Sequence, residues 1–216
     1  MSNYYAGSEN EATELERRKL VESIHNDINL NRFNRIGIRQ GWRCLEVGAG
    51  AGSIAYWLTE QVGSTGHVTA TDIALRFLQS DKYSNLEIKL YDFESDALEE
   101  DVFDFIHSRN VLMHLENPTD ALRKLTMALK SGGYIVLEEP DFSTFLTEGE
   151  PKDSLASVRY AFGYIESAIS SKRMSLYLGG KLPAILDNLG LENVITDEHC
   201  TIQNGGSKLA SIHCRG

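Results

Sequence analysis

Residues 45–58 read LEVGAGAGSIAYWL: an apolar run breaks into three alternating glycines, Gly48, Gly50 and Gly52, and then opens into a helical pattern. Without Cβ atoms at those positions a ligand can approach the backbone closely, and the first turn of the following helix presents unpaired N–H groups. A carboxylate or phosphate is the group such a turn favours. One glycine could serve the geometry of a turn alone; three in alternation after a buried strand point to a ligand.

Outward from this loop the same rhythm repeats. Short apolar runs, CLEVG, HVTATD, LEIKLYD, FDFIHS and GYIVLEE, alternate with segments of helical periodicity, the signature of a parallel sheet covered on both faces. Asn117 before Pro118 predicts a helix start, Leu122, Leu125 and Leu129 its apolar stripe, and the glycines of LKSGG its end. Later helices are expected around Leu155 to Ile169 and from Pro183 to Leu189, the second closed by Gly190. Before the first strand, residues 9–28 carry Leu20, Val21, Ile24 and Ile28 at helical spacing, which predicts an amphipathic helix with one narrow apolar stripe. At the far end ENVITDEHCTIQ, the turn-forming NGGS and KLASIHCRG read as an antiparallel β-hairpin. The expected fold is therefore α/β: a Rossmann-like, doubly wound, mostly parallel seven-stranded sheet with an antiparallel C-terminal hairpin and helices on both faces.

Acidic residues mark three successive strand ends. Glu46 lies inside the first strand, two residues before Gly48, where a buried carboxylate needs a cationic or N–H-rich partner. Asp72 ends the second strand, placed to accept both hydroxyls of a ribose. Asp92 ends the third, where it suits the exocyclic amine of an adenine held between apolar side chains such as Ile73 and Phe93. In an open parallel sheet ligands bind outside the strand ends, so these sites fall in line. The dinucleotide fingerprint G-x-G-x-x-G is not met, since Ser53 stands where its third glycine belongs. A nucleoside with an amino-acid tail fits the line better, and S-adenosylmethionine is such a molecule.

The ordered set LEVGAGAG, VTATDI, LYDFES, FDFIHSRNVLMHLENP and LKSGGYIVLEEP resembles the successive motifs of class I S-adenosylmethionine-dependent methyltransferases, over residues 41–140. Within that superfamily the chain looks most similar to bacterial small-molecule enzymes, including the ubiquinone and menaquinone C-methyltransferases. The resemblance implies S-adenosylmethionine as cofactor and S-adenosylhomocysteine as product. It also implies roles: Glu46 and the backbone of Gly48, Ala49, Gly50 and Gly52 around the methionine part, Asp72 on the ribose, and Asp92 at the adenine, where Ile73 and Phe93 supply the apolar faces. Ser108, Arg109 and Asn110 would lie near the sulfonium and the methionine tail. The opening YYAGSENEATELERRK resembles a helix that folds over the site in this family, which would bring Tyr4 and Tyr5 to the ligand.

Methyl transfer is an in-line displacement that asks the protein to align donor and acceptor and to exclude water. A base is needed only for an acceptor that arrives protonated. His107 and His114, flanking the end of the fourth strand, are the candidate bases, with His25 on the covering helix a third. HSRN stands where methylases of amide or base nitrogens carry Asn-Pro-Pro-Tyr or Asp-Pro-Pro-Tyr, so oxygen or carbon is the favoured acceptor atom. No metal site is indicated. The aromatic insert at residues 141–180, with Phe142, Phe145, Tyr160, Phe162, Tyr164 and Tyr177, suits a small apolar or aromatic acceptor. A protein or RNA methyltransferase, or a non-catalytic subunit that only binds S-adenosylmethionine, are the competing readings.

Bulk properties bound the rest. At 216 residues and 42% hydrophobic, with no linker or repeat, the chain suits one domain. Its parts are a helical cap at 1–35, the cofactor core at 41–140, the substrate-side insert at 141–180 and a final helix and hairpin at 181–216. A net charge of −10, from 31 acids against 21 Lys and Arg, disfavours nucleic acid as a partner. The one basic run, ERRK at residues 16–19, is followed by acids at helical spacing and reads as a solvated face. Three cysteines without ligand spacing suit a reducing compartment, and no stretch is apolar enough to insert in a membrane. A cytoplasmic monomer or homodimer is expected.

Overall fold

The computed structural model describes residues 11–79, 81–144 and 174–199. Among them a five-stranded, wholly parallel sheet forms the middle layer: β1 (Arg43–Val47), β2 (His67–Asp72), β3 (Leu86–Leu90), β4 (Phe103–Arg109) and β5 (Leu129–Glu138), in the order β3-β2-β1-β4-β5. All five predicted parallel strands are present. β1 and β2 are buried along nearly their whole length, which is why they read as continuous apolar runs rather than alternations. Strand order reverses between β1 and β4, and the crevice outside their carboxyl ends is where such sheets hold ligands.

Helices cover both faces, each because its apolar stripe needs one. On one side α1 (Glu11–Ile36) and α2 (Ser53–Val62) pack Phe33, Ile54 and Leu58 onto Cys44, Val68 and Phe105 of the sheet. On the other, α3 (Pro118–Ala128) and α4 (Leu182–Asn188) set Leu122, Leu125 and Leu182 against Leu45, Val47 and Ile106. Asn117 caps α3 as expected, its Oδ1 accepting the Asp120 N–H, with Pro118 in the first turn. No helix among the described residues is long and apolar enough to cross a membrane.

Three expectations change. First, α1 extends to Ile36, and its buried positions are Glu14, Arg18, Glu22, Asn29 and Phe33 rather than the apolar stripe at 20, 21, 24 and 28. Arg18 and Glu22 of that face line the crevice outside β1 and β4, where Asp72 and the Ala51 N–H meet them. Arg18, expected in a solvated run, is 9% exposed because carboxylates meet it from two sides. Second, LKSGG does not trail the helix. β5 begins at Leu129, and residues 130–133 bulge between the pairs Phe103↔Leu129 and Phe105↔Tyr134. Gly132 turns there at φ 77°, and Lys130 anchors the bulge through Nζ to both Asp104 oxygens at 2.9 Å. Third, residues 192–199, expected to start the hairpin, form no strand. The remainder of that hairpin, the helix at 155–169 and the aromatic positions Phe145, Tyr160, Phe162 and Tyr164 lie outside the described residues.

Candidate functional site

The glycine loop follows β1 with all three glycines in the left-handed region, φ 67°, 63° and 94° at Gly48, Gly50 and Gly52. Space forbids other residues as well. A Cβ on Gly48 would stand 2.2 Å from Val111 Cγ2, so only glycine lets the segment after β4 pass over the loop. Asp72, at the end of β2 and 6% exposed, ties the loop down: Oδ2 accepts the Gly50 N–H and Oδ1 the Ala74 N–H, both at 2.9 Å.

α1 closes the crevice from above through its polar face. Glu22 Oε1 accepts the Ala51 N–H at 2.8 Å, occupying an amide of the glycine loop. Arg18 lies between Glu14 at 2.9 Å and Asp72 at 3.7 Å, with its guanidinium 5.2 Å from the centre of the Phe77 ring. Hydrogen bonds from Arg17 and Arg18 outweigh burial and hold the Glu14 carboxyl down to about 2. Further along α1, Asn26 Oδ1 accepts from Ser53 Oγ at 3.3 Å and Arg109 Nη1 at 3.2 Å.

Beneath α1 lies a cavity of about 220 Å³. Of the residues predicted from sequence, Glu46, Gly48, Ala49, Gly50, Asp72 and Ile73 line it on the β1–β2 side. Asp92, Phe93, Arg109, Asn110 and His114 line it from β3 and β4. Three predicted residues do not. Gly52 caps α2, where a Cβ would meet the Tyr56 ring at 2.5 Å. Ser108 points to the α3 side of the sheet, its Oγ buried without a hydrogen-bond partner. His107 lies behind the cavity wall. Tyr5, with Tyr4, falls outside the described residues. Arg17, Arg18, Val21 and Glu22 of α1 are additional lining residues. Arg18 and Glu22 follow Glu14 at four-residue spacing, a pattern that also suits a solvated face, and Val21 stands in the predicted apolar stripe.

His107 differs most from its predicted role as a base. It is completely buried, with Nδ1 2.7 Å from Glu46 Oε2 and Nε2 2.9 Å from Glu138 Oε1, so neither nitrogen is open to an acceptor. Burial alone would push its pKa down; the two carboxylates outweigh that and raise it to about 9. Burial pushes Glu46 up, with His107 and Arg109 pulling against it. His114, at the end of a short 3-10 turn (Leu112–His114), has its pKa lowered by burial and then by Arg17, which keeps the ring neutral. Burial followed by Arg109 does the same to His25.

Glu139 carries a role the sequence did not reveal. Its two oxygens accept the N–H groups of Val111, Leu112 and Met113 at 3.0, 2.8 and 3.0 Å, fixing the turn that presents His114. Burial pushes its carboxyl up to about 7 although those three N–H groups pull it down. Asn110 opens the same turn in the left-handed region, φ 54°, a conformation asparagine tolerates better than most.

Residues 17–196 match the family model of a methyltransferase domain. The chain belongs to this family. This methyltransferase-family chain thus has the class I S-adenosylmethionine-dependent fold that its motifs resemble, with a parallel sheet of five strands among the described residues. It is similar to demethylmenaquinone methyltransferase of Staphylococcus aureus, 31% identical over 109 residues that make up 48% of this chain and 45% of the relative. In structure it resembles a SAM-dependent methyltransferase from Aquifex aeolicus, with TM-score 0.53 and 19% identity over 74% of this chain and 77% of the other. It also resembles a phosphoethanolamine N-methyltransferase from Haemonchus contortus, solved with phosphomonomethylethanolamine and S-adenosylhomocysteine: TM-score 0.59, 19% identity, 77% of this chain and 37% of the other. These structural likenesses concern the fold. The chain spans less than half the length of the first curated relatives it matches, 34% and 45%.

Proposed function

We propose that this methyltransferase-family chain moves a methyl group from S-adenosylmethionine to a small-molecule acceptor, at oxygen or carbon, by in-line displacement. The observation that carries the reading is a cavity at the β1/β4 crevice that joins the left-handed glycine loop, Asp72 and the buried Glu46 under a polar helix face. The lining fits the cofactor: a Cβ-free cradle at Gly48 and Gly50 for the amino-acid tail, and carboxylates at strand ends for hydroxyls and amines.

In this assignment Glu46 takes the ammonium group, Asp72 the ribose hydroxyls, and Asp92 the adenine amine, with Ile73 and Phe93 against the base. Arg109 and Asn110 stand at the sulfonium end. When bound, S-adenosylmethionine supplies a methyl activated by its sulfonium. The chain then has to orient the acceptor and keep water out. α1 excludes water, since Arg18 and Glu22 close the crevice against Asp72 and Ala51. His114, held neutral at the cavity edge, is the group that accepts a proton from an acceptor that carries one. The acidic charge balance supports a small molecule over RNA, and the buried free Cys44 supports a cytoplasmic setting, as monomer or homodimer.

Incubating the protein with methyl-deuterated S-adenosylmethionine and a fractionated cell extract tests this. Label is expected in the small-molecule fraction. Label confined to protein or RNA would overturn the acceptor assignment.

A further inference from the structure

The cavity wall holds a charged group that the methyl-transfer reading leaves without a task. His107 and Glu46 are paired in register on neighbouring central strands, and Glu138 reaches the same imidazole from β5. All three side chains are withdrawn from solvent, with exposures of 0%, 4% and 14%. Each ring nitrogen faces a carboxylate oxygen. A neutral imidazole has one N–H and could donate to only one of them, leaving a lone pair against the other; the imidazolium donates to both. Phe33 seals the ring from α1, its centroid 5.1 Å from that of His107 in an edge-on arrangement.

We propose that His107 is a positioning residue: a buried cation at neutral pH that opposes protonation of Glu46 and fixes its Oε2, leaving Oε1 for the cavity, so that the site selects ligands with an α-ammonium group. This rests on the reading of Glu46 as the residue that meets the cofactor's amino group.

The reason lies in the cost of a lone buried carboxylate. Without a partner, Glu46 would be driven to take up a proton, and a neutral carboxyl gives an ammonium group no ion pair. His107 opposes that protonation. It would itself lose its proton beside Glu46 alone more easily than between two acids, and Glu138 provides the second. Glu138 is balanced in turn by Arg32 of α1, Nη1 to Oε2 at 3.4 Å, and Arg32 reaches Asp197 at 3.1 Å. Arg109 of β4 and His25 of α1 complete the ionisable surroundings. The same line of charges ties α1 to the back of the cavity.

The test compares two ligands that differ only in the group at issue: S-adenosylhomocysteine and its analogue lacking the α-amino group. Calorimetric titration of the full chain should show that the wild type prefers the amino ligand by about ten-fold or more, the scale of a charged hydrogen bond. In His107→Phe that preference should collapse toward unity, mainly through loss of the amino ligand, while the analogue keeps its affinity. Equal weakening of both ligands would mean that His107 only shapes the wall, and would overturn the proposal. An unchanged preference would do the same. Should His107→Phe fail to fold, nitrogen-15 NMR of the unmodified protein decides: both His107 nitrogens should be protonated at about pH 8, where an ordinary histidine is neutral. A neutral tautomer at that pH overturns the proposal. Wild-type protein that binds neither ligand would instead overturn the cofactor reading itself, a result distinct from the others.

Discussion

Replacing Asp72 by Asn removes one charge without changing the volume of the side chain, and the structure sets what should follow. The carboxylate accepts two backbone N–H bonds, from Gly50 and Ala74, and lies 3.7 Å from the Arg18 guanidinium. An amide has one acceptor oxygen, so its NH2 must turn toward one of the two N–H donors, and a hydrogen bond to a charged group is lost. Such a bond is worth about 1.5–3 kcal/mol, and both N–H donors are partly buried. For a chain of this length that lowers Tm by roughly 3–12 °C. Affinity for S-adenosylhomocysteine should fall separately, by roughly ten-fold to a hundred-fold, because the same oxygens are assigned to the ribose. Thermal melts of the ligand-free protein and calorimetric titration below its Tm keep the two effects apart. A Tm within about 1 °C of wild type, together with affinity within about two-fold, would refute both the loop anchor and the ribose assignment.

Gly48→Ala should fold poorly or expel the turn at residues 110–114, because its Cβ would stand 2.2 Å from Val111 Cγ2 on a backbone at φ 67°; a normal melt with unchanged His114 NMR shifts would contradict this. Phe33→Ala removes a side chain with no exposure that packs on Phe105, Trp57 and His107, and should cost about 3–5 kcal/mol in denaturant unfolding. Glu139, raised from 4.5 to about 7, binds a proton more readily folded than unfolded, so its contribution is most favourable below about 4.5 and is lost as pH rises through 7. The stability difference between wild type and Glu139→Gln should therefore shift against the wild type over that window; a difference independent of pH would contradict it.

Much of this was legible from residue order. The glycine run and the acids at 46, 72 and 92 fall at strand ends because parallel strands joined by helices all finish on the same side of the sheet, and a sequence preserves that arithmetic. What it conceals is lateral. His107 looks like a base because it stands near the end of β4, yet its character comes from Glu46 and Glu138 on the strands to either side, 61 and 31 residues away. α1 was misread for a related reason. Its apolar stripe is visible in the sequence, but the face it buries is set by the polar crevice below, and Glu14, Arg18 and Glu22 become inward residues only when Ala51 and Asp72 are there to meet them. Glu139 gave no signal, since its partners are backbone N–H groups, which every residue of that turn carries.

If the cavity beneath α1 is built for S-adenosylmethionine, titrating the purified chain with S-adenosylhomocysteine and with NAD, side by side, separates the two nucleotides. S-adenosylhomocysteine should bind saturably at roughly micromolar concentration, about −8 kcal/mol, and NAD should give no heat. Binding of NAD with none of S-adenosylhomocysteine would contradict it.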